Sequence, residues 1–222
     1  MKLKKYVIIV GGGKGLRMGM EIPKQFIEIN GKPIIIHTLE KFTKALPNAE
    51  LLLVLPQTDL KRWEALSKGS FYETIRVAIG GNSRFDSVKS GLSLIREEGI
   101  VGIHDAVRPL VSEQTIQRVF QAAVNHQAVI PVVELKDSIR QLTEKGSKAM
   151  DRSAFRLVQT PQCFQSSIIQ QAYQREYDPQ FTDDASLVES IGEKVHLVEG
   201  NVENIKLTTK EDLILLTNQL SR

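Results

Sequence analysis

The chain has 222 residues, of which 41% are hydrophobic and 25% charged, and its 29 basic residues nearly balance its 26 acidic ones. This composition is typical of a globular protein with a large core, and a formal net charge of +3 does not favour a polybasic nucleic-acid-binding protein. A single cysteine, Cys163, excludes a disulfide framework and predicts a reducing, cytoplasmic location. No segment approaches the roughly 18 apolar residues of a membrane span, so we expect no membrane partner.

Short apolar runs rich in β-branched residues alternate with amphipathic segments along the chain. The runs that predict buried strands are Tyr6–Val10, Leu51–Leu55, Ile75–Ile79, Ile100–His104 and Ala128–Val133. Repeated strand–helix–strand units require right-handed crossovers and a mostly parallel sheet that is covered on both faces. We therefore predict an α/β fold with a doubly wound, mostly parallel sheet, in one domain over residues 1–222.

Capping residues predict where three helices begin. Ser83 with Asp86 and Thr209 with Asp212 form capping-box patterns ahead of apolar helical faces, and Ser112 precedes a third such face. Ligands of such sheets bind outside the carboxyl ends of the strands, so the segments that follow strands are the candidate functional loops. These segments are residues 11–19, 80–83 and 104–109.

The stretch from about Leu135 to Val158 departs from the alternation of strands and helices. It is strand-like and of mixed polarity, and Glu144-Lys145-Gly146-Ser147 is typical of a turn. We predict a β-arm that protrudes from the sheet. Because such an arm has little core of its own, the hypothesis is that it docks onto a second subunit and forms a homodimer.

The first strand runs into a glycine-rich loop, residues 11–19, with the sequence GGGKGLRMG. Glycines let the backbone approach a ligand closely, and successive N–H groups can surround phosphate oxygens, although a tight turn without a ligand is the alternative. Leu16 stands where the Rossmann fingerprint needs its last glycine, and Gly15 stands where the P-loop needs Ser or Thr. Neither NAD binding nor Walker-type ATP hydrolysis is predicted.

Basic residues accompany these glycines: Lys14 and Arg17 in the loop, and then Lys24 within Pro23-Lys24-Gln25. Several cations on a glycine loop suit a nucleoside triphosphate, whose charge needs more than backbone dipoles. Lys14 also fits a solvated surface lysine. Lys24 fits that description less well, because it stands between a proline and an apolar run.

The pattern Gly-Gly-x-Gly-x-Arg-Met followed by Pro-Lys-Gln resembles the beginning of the sugar-nucleotide pyrophosphorylases, and specifically of the 2-C-methyl-D-erythritol 4-phosphate cytidylyltransferase family. Further motifs are similar to that family in the same order along the whole chain. They are Gly80–Arg84 with Asp86-Ser87-Val88, His104–Pro109, Thr160-Pro161-Gln162, Thr182–Ser186, and Val198-Glu199-Gly200 leading to Asn204–Thr208. Two positions depart from the pattern: Gly11-Gly12 replaces Ala-Ala, and Asn82 replaces a common acidic residue.

The resemblance implies that an acceptor phosphate attacks the α-phosphorus of CTP and releases pyrophosphate. Because the nucleophile is already an anion, fixed cations and Mg²⁺ replace a general base. The catalytic residues implied are Arg17, Lys24, Arg152 and Lys206, with Arg152 reaching the site from the second subunit. The CTP-binding residues implied are Gly11, Gly12, Gly13, Gly81, Asn82, Ser87 and Asp105. The acceptor-binding residues implied are Arg108, Ser138, Thr160 and Thr182.

Asp105 follows a buried strand, where a carboxylate is costly unless it has a partner. Either Mg²⁺ or Arg108 fits that role, because Mg²⁺ binds through substrate phosphates and one or two carboxylates. Two other functions stay open at this point. One is the same chemistry on ribitol 5-phosphate or another polyol phosphate, and the other is a nucleotide-binding module without turnover.

Overall fold

The computed structural model describes residues 3–12 and 22–221, and these contain a strand-rich core surrounded by helices. The strands are β1 (Lys4–Val10), β2 (Glu28–Ile29), β3 (Lys32–Pro33), β4 (Glu50–Leu55), β5 (Arg76–Ile79), β6 (Gly99–Asp105), β7 (Ala128–Glu134), β8 (Ile139–Thr143), β9 (Gly146–Met150), β10 (Arg156–Val158), β11 (Gln162–Gln165) and β12 (Val195–Glu199). The α-helices are α1 (Ile34–Ala45), α2 (Leu60–Ser67), α3 (Arg84–Leu92), α4 (Glu113–Ala122), α5 (Ser166–Ala172), α6 (Asp184–Glu189) and α7 (Lys210–Leu220).

The central sheet has the order β10-β7-β11-β6-β1-β4-β5, and β12 also pairs with β7. Strand β1 pairs in parallel with β4 and β6, and β4 pairs in parallel with β5. Strands β10 and β11 run antiparallel to β7, and β11 also runs antiparallel to β6. The predicted α/β fold with a mostly parallel sheet is confirmed, and each of the five predicted strands is present.

Both faces of the sheet are covered, which explains the unbroken apolar runs of its central strands. On β1, Val7 and Ile9 pack with buried side chains of α1 and α4. Tyr6 and Ile8 point to the opposite face and pack with side chains of α3, α5 and α6. Because a strand presents successive residues to opposite faces, the five consecutive residues Tyr6–Val10 are all buried.

The helix starts predicted from capping residues are confirmed. The Ser83 side chain accepts a hydrogen bond from the Asp86 N–H, and the Asp86 carboxylate accepts from the Ser83 N–H in return. Thr209 and Asp212 form the same reciprocal pair at the start of α7. Each cap satisfies backbone donors that have no partner inside the helix, a contribution of about 1 kcal/mol.

The predicted arm corresponds to a separate β8–β9 hairpin, whose strands pair only with each other. Its turn lies between Thr143 and Gly146, as the sequence predicts. The predicted C-terminal boundary of the arm at Val158 is wrong, because Arg156–Val158 form β10 and pair with β7 in the central sheet. Within the described residues, no helix has both the length and the apolar character needed to cross a membrane.

Candidate active site

The loops after β1, β4, β5 and β6 meet at one edge of the central sheet. Gly11 N–H donates to the carbonyl of Val54 at 2.8 Å, and Gly80 N–H donates to the carbonyl of Leu55 at 2.8 Å. Ala106 N–H donates to the last carbonyl of β1 at 3.0 Å. Because parallel strands end at the same edge, Gly11 and Gly12, residues 80–83 and the segment after Asp105 lie side by side there.

The part of this edge that carries the residues predicted to bind CTP is built from glycines and the beginning of α3. A Cβ atom on Gly81 would lie 2.2 Å from Cβ of Asp86, so a side chain at this position would collide with α3. Cβ atoms on Gly12 and Gly80 would lie 3.5 and 3.0 Å from Oγ of Ser87, which places that buried hydroxyl between the two loops. The absence of side chains at these glycines and the dipole at the beginning of α3 suit this edge to a phosphate or a base.

Asn82 is exposed on the same loop, next to the capping residue of α3. Gly13, predicted to bind CTP, and Arg17, predicted to be catalytic, lie outside the described residues 3–12 and 22–221.

The segment Pro23-Lys24-Gln25 is fixed against two parts of the site. Lys24 is 9% exposed, and its Nζ donates to the carbonyl of Thr208 at 2.8 Å. The Gln25 amide donates to the carbonyl of Gly11 at 2.9 Å and to Oδ2 of Asp59 at 2.7 Å. The described end of the glycine loop and the segment that carries Lys206 are thereby linked through neighbouring residues.

Asp105, the last residue of β6, is 6% exposed and lies among three cations. Its Oδ2 is 2.9 Å from Nε of Arg108 and 3.1 Å from Nζ of Lys206, and its Oδ1 is 3.8 Å from Nε of Arg84. Burial by itself raises the pKa of this carboxyl, but Lys206, Arg84 and Arg108 together lower it well below its ordinary value. Asp105 is therefore ionised throughout the neutral range, and its ion pair with Arg108 is present.

A cleft of about 290 Å³ opens beside Asp105. Its lining residues are Arg84, Asp105, Arg108, Val158, Gln159, Thr160, Gln162, Thr182, Asp183 and Lys206. Four residues that the sequence assigns to catalysis or to the acceptor therefore meet around Asp105, although they are far apart in the chain. Ser138 and Arg152 do not line this cleft: both are exposed on the arm, and the Arg152 guanidinium donates to the carbonyl of Lys136.

Lys206 is positioned by the backbone of its own segment. Leu207 N–H donates to the carbonyl of Val107 at 3.0 Å, which adds this segment to the loop after β6. Arg108 Nη1 donates to the carbonyl of Asn204 at 2.8 Å. These two contacts on either side of Lys206 hold its side chain over the cleft.

A buried histidine, His104, connects Arg108 to Thr160. Its Nε2 lies 3.2 Å from the carbonyl of Arg108, and its Nδ1 lies 2.9 Å from Oγ1 of Thr160. Because a carbonyl only accepts, Nε2 carries the proton, and the Thr160 hydroxyl donates to Nδ1. Oγ1 of Thr160 also accepts from the backbone N–H of Asp105 at 3.3 Å. The hydroxyl hydrogen of Thr160 is therefore engaged by Nδ1 of His104, so Oγ1 can only accept a hydrogen bond from a group in the cleft.

Burial lowers the pKa of His104 to about 4, and the fully buried ring stays neutral at neutral pH. No role is predicted from the sequence for His104 or Arg84, although both lie inside the motifs His104–Pro109 and Gly80–Arg84. The signal that could have found His104 is a polar residue at an inward-facing position of a buried strand, where it needs partners.

The described residues do not form a protein metal centre. They contain no group of three or more His, Cys, Asp or Glu side chains that could hold an ion. The oxygens of Asp105 already face cations, so the carboxylate fits an organising role better than that of a metal ligand. We therefore derive no catalytic step through a protein-bound metal.

Residues 5–222 match the IspD family, described as 2-C-methyl-D-erythritol 4-phosphate cytidylyltransferase. The enzyme of that name from Bacteroides thetaiotaomicron is 49% identical over 212 residues, which cover 95% of this chain and 97% of the relative. The one from Porphyromonas gingivalis is 44% identical over 218 residues, or 97% of each chain.

Solved structures agree with these relatives. The 4-diphosphocytidyl-2C-methyl-D-erythritol synthase of Anaerococcus prevotii has a TM-score of 0.86 at 29% identity, covering 99% of this chain and 97% of its own. The Francisella tularensis 2-C-methyl-D-erythritol 4-phosphate cytidylyltransferase has a TM-score of 0.80 at 32% identity, and the match covers 97% of this chain and 99% of that structure. The likeness therefore spans the whole fold, including the cleft and the arm.

Proposed function

This chain belongs to the 2-C-methyl-D-erythritol 4-phosphate cytidylyltransferase family, and we propose that the cleft around Asp105 is where it carries out that family's reaction. The enzyme transfers CMP from CTP to 2-C-methyl-D-erythritol 4-phosphate. The products are the CDP-linked methylerythritol and pyrophosphate, which places the enzyme in the non-mevalonate synthesis of isoprenoid precursors.

The chemistry is a displacement at phosphorus. An oxygen of the acceptor's phosphate forms a bond to the α-phosphorus of CTP, while the bond from that phosphorus to the bridging oxygen of the β-phosphate breaks. The electron pair of the broken bond leaves with pyrophosphate. Because the nucleophile is an anion, the obstacle is repulsion between two anions, which fixed cations reduce most effectively in a partly dehydrated cleft.

The observation that carries the proposal is the pair of cations, Arg108 and Lys206, held at the cleft by one ionised carboxylate. They lie at 2.9 and 3.1 Å from the same oxygen of Asp105, so both are oriented before the acceptor arrives. An arriving phosphate offers these cations a second anionic partner at the mouth of the cleft. We assign the acceptor's phosphate to this position.

The nucleotide belongs on the adjoining edge, beside the glycines and α3. Gly11, Gly12, Gly81 and Ser87 lie there, with Asn82 at the exposed rim. Lys24 lies under this edge and adjoins the segment that carries Lys206. We propose that Lys24 and Arg17 stabilise the charge that develops on the α-phosphate and the leaving pyrophosphate, and that Gly13 helps to bind the phosphates.

Charge balance supports an additional cation from a second subunit. The three cations Arg84, Arg108 and Lys206 are matched by three carboxylates, those of Asp105, Asp183 and Asp184, so the formal charges at the cleft cancel. A phosphate monoester carries a charge of about −1.5 to −2 at neutral pH. We propose that Arg152 of a partner subunit supplies the remaining positive charge, with Ser138 beside it.

Exposed apolar side chains on and beside the arm support a homodimer. Leu142 is 84% exposed on the hairpin, and Leu157 and Val158 on β10 are 54% and 43% exposed. Large apolar side chains this exposed, on and beside a hairpin without a core of its own, favour a contact with another protein. A second copy of this chain would cover it and bring Arg152 to the neighbouring cleft.

Magnesium, in this proposal, binds through the phosphates of CTP, where it neutralises charge on the triphosphate. We also propose a cytoplasmic location, in keeping with the single buried thiol of Cys163.

The first experiment measures pyrophosphate release with CTP, Mg²⁺ and three acceptors: 2-C-methyl-D-erythritol 4-phosphate, ribitol 5-phosphate and glycerol 3-phosphate. We expect strong preference for the first. Pyrophosphate release with ribitol 5-phosphate alone would overturn the assigned acceptor. Binding of CTP with no pyrophosphate release in the presence of any of the three acceptors would indicate a nucleotide-binding module. A chelator added to the productive reaction tests the role of Mg²⁺.

A further inference from the structure

The side chain of Arg84 joins two carboxylates that belong to different parts of the site. Its Nη1 and Nη2 donate to the two oxygens of Asp184 at 2.8 and 2.6 Å, and its Nε lies 3.8 Å from Oδ1 of Asp105. Arg84 begins α3, next to the nucleotide loop, whereas Asp184 begins α6, two residues after Thr182. The guanidinium therefore connects the nucleotide side of the site to the acceptor side.

The pair with Asp184 gives this guanidinium a fixed orientation. Asp184 is fully buried, and its Oδ1 also accepts a hydrogen bond from Oη of Tyr173 at 2.6 Å. The Tyr173 ring in turn stacks on Phe85, with ring centroids 4.7 Å apart. A bidentate arginine–carboxylate pair fixes the plane of both groups, so Nε of Arg84 stays directed toward Asp105.

This direction matters because the two oxygens of Asp105 then have different partners. Oδ2 lies at 2.9 and 3.1 Å from Arg108 and Lys206, while Oδ1 faces Arg84. Without the cation at Oδ1, the carboxylate is free to rotate and engage Arg108 and Lys206 with both oxygens. Those two cations would then be held more tightly by the protein and less available to a substrate phosphate.

We propose that Arg84 is a positioning residue for the acceptor. Anchored by Asp184, it keeps Oδ1 of Asp105 turned away from Arg108 and Lys206, so that both cations remain available to the acceptor's phosphate. The inference rests on the proposed location of that phosphate in the cleft. In this proposal Arg84, from the Gly80–Arg84 motif, and Asp184, from Thr182–Ser186, act together to orient the carboxylate of Asp105.

The test separates positioning from mere neutralisation of a buried charge. Arg84→Met leaves Asp184 buried without its cation, so we expect its melting temperature to fall. The double variant Arg84→Met/Asp184→Asn removes both charges, and we expect its melting temperature to recover. Its KM for 2-C-methyl-D-erythritol 4-phosphate should nevertheless stay raised by about tenfold or more, with the KM for CTP changed by less than about threefold. A wild-type acceptor KM in the folded double variant would overturn the proposal.

A second pair of variants tests whether Arg84 acts through Asp105. In an Asp105→Asn background, adding Arg84→Met should raise the acceptor KM by no more than about twofold, because the group that Arg84 orients is already altered. A further rise of about tenfold would mean that Arg84 contacts the acceptor itself, and would overturn the positioning role. Arg96→Met, an exposed arginine just after α3, is the matched control. Wild-type turnover in the same assay tests the proposed function separately.

Discussion

The cleft and the β8–β9 arm carry the residues proposed to bind one acceptor, yet they differ in their physical properties. Asp105 is 6% exposed and lies among cations drawn from three separate segments of the chain. Ser138 and Arg152 lie at the base of a hairpin in which nearly every residue is exposed. The cleft is organised by the folding of its own subunit, whereas the side chains of the arm are exposed to solvent.

The two regions differ in when their side chains lose conformational entropy. Side chains in the cleft lose their conformational freedom when the chain folds, so little remains to be lost when the acceptor binds. In the proposed dimer, the exposed side chains on the arm lose that freedom only when the partner binds. The proposal therefore implies that the full complement of cations is assembled only in the dimer.

Removing Lys206 should produce the largest effect. Lys206→Ala takes away a cation 3.1 Å from Asp105, and we expect kcat/KM to fall by about 10²–10³-fold, in line with other losses of transition-state stabilisation. The fold should be unaffected, because the side chain is 41% exposed. Steady-state kinetics with far-UV circular dichroism measure both. Lys210→Ala, an exposed lysine on α7, is the control, and near-normal turnover of Lys206→Ala would remove this lysine from the mechanism.

Removing Arg152 should lower kcat/KM by about 10²-fold, although this residue does not line the cleft of its own subunit. A mixture of Arg152→Ala and Lys24→Ala chains tests the origin of the cation. At equal concentrations, random exchange should restore roughly a quarter of the wild-type sites, because half the dimers are mixed and each has one complete site. Arg140→Ala, within the same hairpin, is the control. Absence of recovery in mixed dimers of proven composition would mean that the arm serves its own subunit.

Acid should destabilise the cleft through His104 before it affects the arm. The folded pKa of about 4 lies below the ordinary value of 6.5, so the unfolded chain takes up this proton first as the pH falls. The stabilisation of the folded state by the neutral ring is complete above pH 6.5 and is lost as the pH falls toward 4. Between pH 7 and pH 4.5, this group should lower the free energy of unfolding by about 2–3 kcal/mol.

Urea unfolding at the two pH values measures the loss. His104→Gln cannot titrate in this range but keeps a donor and an acceptor, so it should show a correspondingly smaller pH dependence. Equal dependence in both proteins would mean that His104 is not buried as a neutral ring.

A charge on the arm should have the smallest effect on folding and a clear effect on association. Leu142 is 84% exposed, so Leu142→Asp should change the free energy of unfolding of the subunit by no more than about 0.5 kcal/mol. The same change should weaken the dimer, as measured by sedimentation equilibrium, and lower activity at low protein concentration. Leu142→Thr is the milder control. An unchanged dimer would exclude this side chain from the interface.

Local patterns in the sequence were sufficient for most of the fold. The strands around Val7 and Leu53 are buried on both faces, so their runs are apolar without interruption, and that pattern is visible in the sequence. Caps such as Ser83 with Asp86 act within one turn of helix, so their residues are adjacent in the chain. The end of the arm was misjudged because the pairing of Arg156–Val158 with β7 is a contact between distant segments.

The amino-acid sequence was therefore enough to predict the order of the main strands, the edge of the sheet at which the candidate loops meet, and the motifs that contain the cations. Only the tertiary structure decided what those motifs do to one another. It brings Arg84, Asp105 and Asp184 together, gives Asp105 its cationic partners and sets the direction in which the Thr160 hydroxyl donates. The physical reason is that ion pairs and hydrogen bonds depend on distances of about 3 Å between groups far apart in the chain, which no local pattern records.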